Sequence, residues 1–111
     1  MVEYNIFASV GTTEVDLAPY PRGSSTVSSE KYRKIYAMVL SNTASGANTL
    51  TIRIYSGATL EASFNINLPS PGVYSIVSRK EEPLLIVPPG RTLKAVASAA
   101  TVEVMMAGYD E

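Results

Sequence analysis

From Asn48 to Tyr55 apolar and polar side chains alternate, with Leu50, Ile52 and Ile54 on one parity and Thr49, Thr51, Arg53 and Tyr55 on the other. Leu60 to Leu68 does the same, with Leu60, Ala62, Phe64, Ile66 and Leu68 set against Glu61, Ser63, Asn65 and Asn67. Successive side chains of a pleated strand point to opposite faces, so a period of two predicts strands with one face in a core. Ser56-Gly57-Ala58-Thr59 between them predicts a tight hairpin, with Gly57 supplying a positive φ.

Ile35-Tyr36-Ala37-Met38-Val39-Leu40, inside a strand from Tyr32 to Ser41, is apolar on both parities. That pattern belongs to a central strand or to one covered by a partner. Shorter alternating runs predict strands at Glu3–Val10 and Glu14–Ala18, around Gly11-Thr12-Thr13, and at Val73–Val77, Leu84–Val87, Thr92–Ala97 and Thr101–Ala107. The best helical period, Ser28–Leu40, carries too many β-branched and aromatic residues for a helix. The expected fold is therefore all-β: one antiparallel β-sandwich (or barrel) of about eight to nine strands, with turn signals every eight to twelve residues.

Three segments refine this picture. Pro19–Ser29 (PYPRGSSTVSS) reads as a mobile irregular loop, because Pro19 and Pro21 remove ladder donors. Pro89-Gly90 predicts a type II turn that reverses Leu84–Val87 into Thr92–Ala97. There Leu93, Ala95 and Ala97 share one face, and the small alanines let another sheet or subunit approach closely. In the last strand Val102, Val104 and Met106 face the core. The opposite parity, Thr101, Glu103, Met105, Ala107 and Tyr109, meets water, a neighbouring chain or a second sheet of the same chain.

The chain has 111 residues and 46% hydrophobic content, which suits a single domain over residues 1–111 with its own core. Only 17% of residues are charged, against roughly 25% in an average soluble domain. Either the surface is neutral and hydroxyl-rich, or other subunits cover much of it, since interface cores are depleted in Lys, Glu and Asp. A net charge of −1 and the lack of Lys/Arg clustering argue against a nucleic-acid partner. No apolar run approaches the roughly 20 residues that span a bilayer, so no membrane segment is expected. The N-terminal MVEYNIFASV reads as a strand rather than a signal peptide.

Histidine and cysteine are both absent, which removes Ser–His–Asp catalysis, imidazole bases, thiolate chemistry and their metal sites. A Ser–Lys dyad on Lys34, Lys80 or Lys94 lacks an apolar pocket to lower the lysine pKa. The carboxylate pairs are Glu14 with Asp16, Glu81 with Glu82, and Asp110 with Glu111. They read as solvated decoration, as mutual neutralisation with Arg79-Lys80, and as a frayed terminus, respectively. No D-x-D-x-D-G loop, P-loop or G-x-G-x-x-G occurs. The expectation is a protein that is not an enzyme, with no catalytic residue, cofactor or metal.

The whole chain resembles small virion proteins of tailed bacteriophages and related viruses, of the decoration, minor capsid or head-fibre type. The likeness rests on the opening "IFASV", the two-sided strand and Asn-rich turn of "IYAMVLSNTASGANTLTIRIY", the spacer "INLPSPGVYSI" and the closing "LLIVPPGRTLKAVASAATVEVMMAGYDE". It departs at the tight turn, where Arg91 follows Gly90 in place of the family's frequent Asp. The resemblance implies a jelly-roll or Ig-like sandwich located in the virion, forming homo-oligomers such as trimers and contacting the major capsid protein or other virion subunits. Candidate interface residues are Tyr20 and Arg22 on the irregular loop, which would reach to a partner, with Tyr36, Arg53, Tyr55, Met105 and Tyr109 on strand faces. Two other functions fit the sequence. One is a carbohydrate-binding or adhesive module with Tyr36 and Tyr55 on a shared stripe. The other is an extracellular filament subunit whose Val2–Val10 strand completes a neighbour's sheet.

Overall fold

A computed structural model describes residues 2–111 as an antiparallel β-sandwich, with no helix among the described residues. Its ten strands are β1 (Glu3–Val10), β2 (Val15–Asp16), β3 (Pro19–Tyr20), β4 (Arg33–Asn42), β5 (Asn48–Ser56), β6 (Thr59–Leu68), β7 (Gly72–Val77), β8 (Leu85–Val87), β9 (Thr92–Ala97) and β10 (Val102–Asp110). One sheet has six strands in the order β3-β1-β10-β4-β7, with β8 beside β4 on the same edge as β7; the other has four, β2-β9-β5-β6. Antiparallel pairs join β1 to β10, β2 to β9, β4 to β7 and β5 to β6, with β10 beside β4 and β9 beside β5. That nested winding, first strand with last and inward to the β5–β6 hairpin, is the jelly-roll arrangement.

The inward parities meet between the sheets. Ile6, Val10, Ile35, Leu40, Val102 and Met106 of the larger sheet face Leu50, Ile52, Leu93 and Ala95 of the smaller one, all essentially solvent-free. β4 is central, with β10 on one side and β7 and β8 on the other, as its two-sided apolar pattern requires. Gly57 takes a φ of 59° at the first position of the two-residue β5–β6 loop, and Gly90 a φ of 76° in its turn. The Arg91 N–H donates to the Pro88 carbonyl at 3.3 Å, which closes the expected type II turn. The turn carries the chain from β8 in one sheet to β9 in the other, rather than making a hairpin.

Two bulges interrupt strict alternation. In β4, Ile35 and Ala37 oppose Gly108 and Ala107, leaving Tyr36 as the extra residue. A Cβ on Gly108 would meet the Lys34 carbonyl oxygen at 2.6 Å, so only glycine allows this approach. In β6, Leu60 opposes Tyr55 and Ala62 opposes Ile54, so Glu61 is extra. Leu60 therefore joins the outer face with Tyr55, not the core face on which strict alternation puts it.

The Pro19–Ser29 segment is not a free arm. Pro19–Tyr20 pairs with β1, and Val27 is buried with its N–H donating to the Arg91 carbonyl at 2.8 Å. The Leu93 N–H donates to the Ser25 carbonyl at 3.0 Å, so the loop's middle lies along the start of β9. Nor is the C-terminus frayed: Asp110 belongs to β10, and the Tyr32 and Glu111 backbones exchange hydrogen bonds of 3.0 and 2.9 Å. Arg33, buried, clamps Asp110 through Nε–Oδ1 at 2.9 Å and Nη2–Oδ2 at 3.0 Å, and donates from Nη1 to the Ser24 carbonyl at 2.7 Å. The Tyr4 hydroxyl donates to the same carboxylate at 2.5 Å. Burial and the neighbouring Asp110 push that phenol well above its ordinary pKa. At the other end of the sandwich, buried Asn42 donates to the Gly46 and Ser70 carbonyls, and buried Asn48 donates to the Ala100 carbonyl, tying three loops together.

Candidate functional site

The outer face of the six-stranded sheet is an exposed surface with little charge, and its residues follow from register alone. One row across the sheet reads Tyr20, Asn5, Ala107, Ala37, Val77; the next reads Phe7, Met105, Val39, Ser75; the third reads Ser9, Glu103, Ser41, Val73. Of these thirteen positions only Glu103 is charged, and the Ser9 hydroxyl donates to its carboxylate at 2.6 Å. Phe7, Tyr20, Val73, Val77 and Met105 are all exposed, Met105 to 42%. The Phe7 and Tyr20 rings meet edge to face at 5.2 Å and 77°. Phe7, Val39, Val73 and Met105 line a shallow depression of about 400 Å³.

A charged rim closes one end of this patch. The Lys80 ammonium meets Glu3 at 2.6 Å, and Lys34 meets Glu111 at 2.9 Å. The Tyr36 hydroxyl donates to Glu3 at 2.6 Å, and Lys80 with Tyr36 holds the Glu3 carboxyl below its ordinary pKa. Tyr109 has the outward parity expected of it, yet it is only 5% exposed. The chain itself covers it: its hydroxyl donates to the Lys80 carbonyl at 2.7 Å, and its ring lies 6.4 Å from that of Tyr36.

The outer face of the four-stranded sheet is different in kind. Arg53 Nη1 and the Tyr55 hydroxyl both donate to Glu14, at 2.9 and 2.8 Å. Lys94 lies 5.3 Å over the Tyr55 ring and 3.5 Å from Asp16. Arg53, then Tyr55, hold the Glu14 carboxyl below its ordinary pKa, so it is ionised at neutral pH and cannot serve there as a proton donor. Beside this network the Thr51 hydroxyl donates to Asn65 at 2.9 Å.

The sequence candidates thus separate. Tyr20 and Met105 lie in the apolar patch, Arg22 is exposed just beyond Tyr20, and Tyr36 stands on the rim. Arg53 and Tyr55 belong to the other sheet, so Tyr36 and Tyr55 share no stripe. Phe7, Val39, Val73 and Val77 escaped notice. Phe7 was readable, because it is the outward parity of a strand whose Ile6 and Val10 face in; Val73 and Val77 were not, because β7 is apolar on both parities. The fold and surface together define a jelly-roll sandwich with one apolar outer face and one salt-bridged outer face. Compared with known proteins, the chain matches no family model and no curated protein.

Proposed function

We propose that this protein is a non-enzymatic structural subunit that assembles by burying the outer face of its six-stranded sheet. It packs on copies of itself and on a larger lattice, as a decoration or minor capsid component of a virion. The observation that carries this reading is the thirteen-position face with a single charge, since monomeric proteins rarely leave large contiguous apolar patches open to water. An apolar centre with a charged rim is also the anatomy of a protein interface. Jelly rolls serve in viral capsids as well as in lectins, so the fold admits the virion setting without selecting it. The virion setting rests on the sequence resemblance. The carbohydrate reading is weaker: Tyr36 and Tyr55, the platform it calls for, lie on different sheets.

Light scattering of the wild type beside Phe7→Lys/Met105→Lys tests this. The wild type is expected at a multiple of 11.9 kDa, and the double variant, still folded by circular dichroism, at a smaller mass than the wild type at the same concentration. A wild type that stays at 11.9 kDa at every concentration refutes the self-association on which the proposal depends.

A further inference from the structure

A second surface, separate from the apolar face, has the form of an unfinished sheet. The sandwich has four edges, and three are blunted. β2 and β3 are two residues each, with Asp16 in the first and Pro19 in the second. β7 is six residues long, between Pro71 and the charged run Arg79–Glu82. Short strands, prolines and charges are the devices that keep edges from pairing with other chains. β6 is the least protected: it is ten residues long, pairs only with β5, contains no proline and no basic residue, and carries its bulge and its charge near its start. Its one charge, Glu61, is the bulge residue, held by Arg91 at 2.8 Å. From Ala62 to Leu68 the strand is regular, and its outward-pointing backbone groups have no partner strand.

Behind that edge the two sheets do not close. Phe64 points inward beside the buried Ile52 and is still 46% exposed. It stands with Ile66, Met38, Ile76 and Leu84 along a cleft of about 550 Å³ that opens between β6 and the β7–β8 side of the other sheet. A free ladder edge above an apolar cleft is the arrangement into which an extended strand docks, hydrogen bonds setting its direction and alternate side chains filling the cleft.

We propose that the strand is β6 of a second copy, paired antiparallel across a two-fold axis normal to the sheet. Such an axis keeps both inward faces on the same side, so inward residues meet inward residues. Centred on Asn65, the pairing sets Phe64 against Ile66, Ala62 against Leu68 and Ser63 against Asn67, with no charge anywhere in the stretch. The edge is thus complementary to itself, whereas it offers no charged group with which to select a different peptide. Seven paired residues supply about six to eight interchain hydrogen bonds, within the range of a whole standard interface. The four-stranded sheets of two copies join into one of eight. This goes beyond the apolar face and does not require it. With both contacts present, assembly extends past a dimer, because two different self-contacts on one chain build a closed tetramer or an open chain.

The cysteine-free sequence makes the test direct. Asn65→Cys, Ser75→Cys on the apolar face and Ser29→Cys on the exposed loop are each oxidised under identical mild conditions, and disulfide dimers are followed by non-reducing electrophoresis. Cα–Cα distances across an antiparallel pair suit a disulfide, so the Asn65→Cys chain is expected to cross-link at least about tenfold faster than the Ser29→Cys collision control. A mixture of Ser63→Cys and Asn67→Cys chains then cross-links faster than either alone, which fixes the register. Asn65→Cys reacting no faster than Ser29→Cys overturns the inference. If Ser75→Cys alone is fast, the β6 contact falls while assembly through the apolar face stands; if no position is fast and the chain is monomeric, both fall.

Discussion

Truncating Asp110 to alanine isolates the buried ion pair that ties the last strand to the middle of the sheet. Arg33 has a side chain only 4% exposed and Asp110 one 22% exposed, so the carboxylate can be removed while the guanidinium stays inside. Removing one member of a buried pair costs about 3–5 kcal/mol, because the remaining charge loses its compensation. Water can enter where Asp110 was partly exposed, and the Ser24 carbonyl still accepts from Arg33, which places the expected loss near 3 kcal/mol. For a chain of this length that loss lowers the melting temperature by roughly 13 °C, and the urea midpoint by about 1.5 M. Calorimetry and urea titration at one fixed protein concentration read it, since association makes both concentration-dependent. Arg33→Met/Asp110→Leu should recover part of the loss, because an apolar pair leaves no stranded charge. Glu82→Ala, which breaks only the exposed Arg79–Glu82 pair, should change nothing measurable. If Asp110→Ala lies within about 1 kcal/mol of wild type, the clamp is not formed in solution and the account of the C-terminus is wrong.

Two further outcomes follow from the same packing. Ala95 is fully buried between Val15 and Ile52 in its sheet, so Ala95→Leu should destabilise by about 1–3 kcal/mol through overpacking, and a neutral urea midpoint would reveal slack between the sheets. Burial opposes ionisation of Asp110, but the hydrogen bonds from Arg33 and Tyr4 outweigh it and hold the carboxyl below its ordinary 3.8. With the folded pKa depressed, the stabilisation is complete above the ordinary value and disappears as pH falls through the folded one. Urea titrations from about pH 6 down to about pH 2 should therefore lose stability at the acid end, and Asp110→Asn should remove much of that slope. An identical slope in the variant contradicts the assignment.

Alternation revealed where the strands are and, in most of them, which side chains face the core, because period two is a local property of the backbone. β1 from Glu3 to Val10 and β9 from Thr92 to Ala97 agree residue by residue with their sequence patterns. The strand order was not legible, since periodicity says which face a residue takes and not which strand lies beside it. Leu60 was misplaced because the extra residue in β6 leaves no trace in an apolar–polar pattern. Asp110 looked like a solvated terminal acid because its partner, Arg33, is 77 residues away in sequence. Tyr109 had the right parity but the wrong environment, because a loop from elsewhere in the chain covers it. Part of the apolar face was legible: Tyr20 and Met105 directly, and Phe7 by its outward parity. That these residues share one face with Val39, Val73 and Val77 depended on registers, which set Phe7, Met105 and Val39 in one row.

The initial rate of Met105 oxidation by hydrogen peroxide tests the central claim without any substitution. Met105 is exposed at the centre of the apolar face, while the adjacent Met106 is fully buried and serves as an internal reference. Peptide mass spectrometry gives both rates as protein concentration rises from about 1 μM to about 1 mM, the range over which modest interfaces form. Burial of the face predicts that the Met105 rate falls severalfold toward that of Met106 as the concentration rises. A Met105 rate that stays high and constant across the series contradicts it.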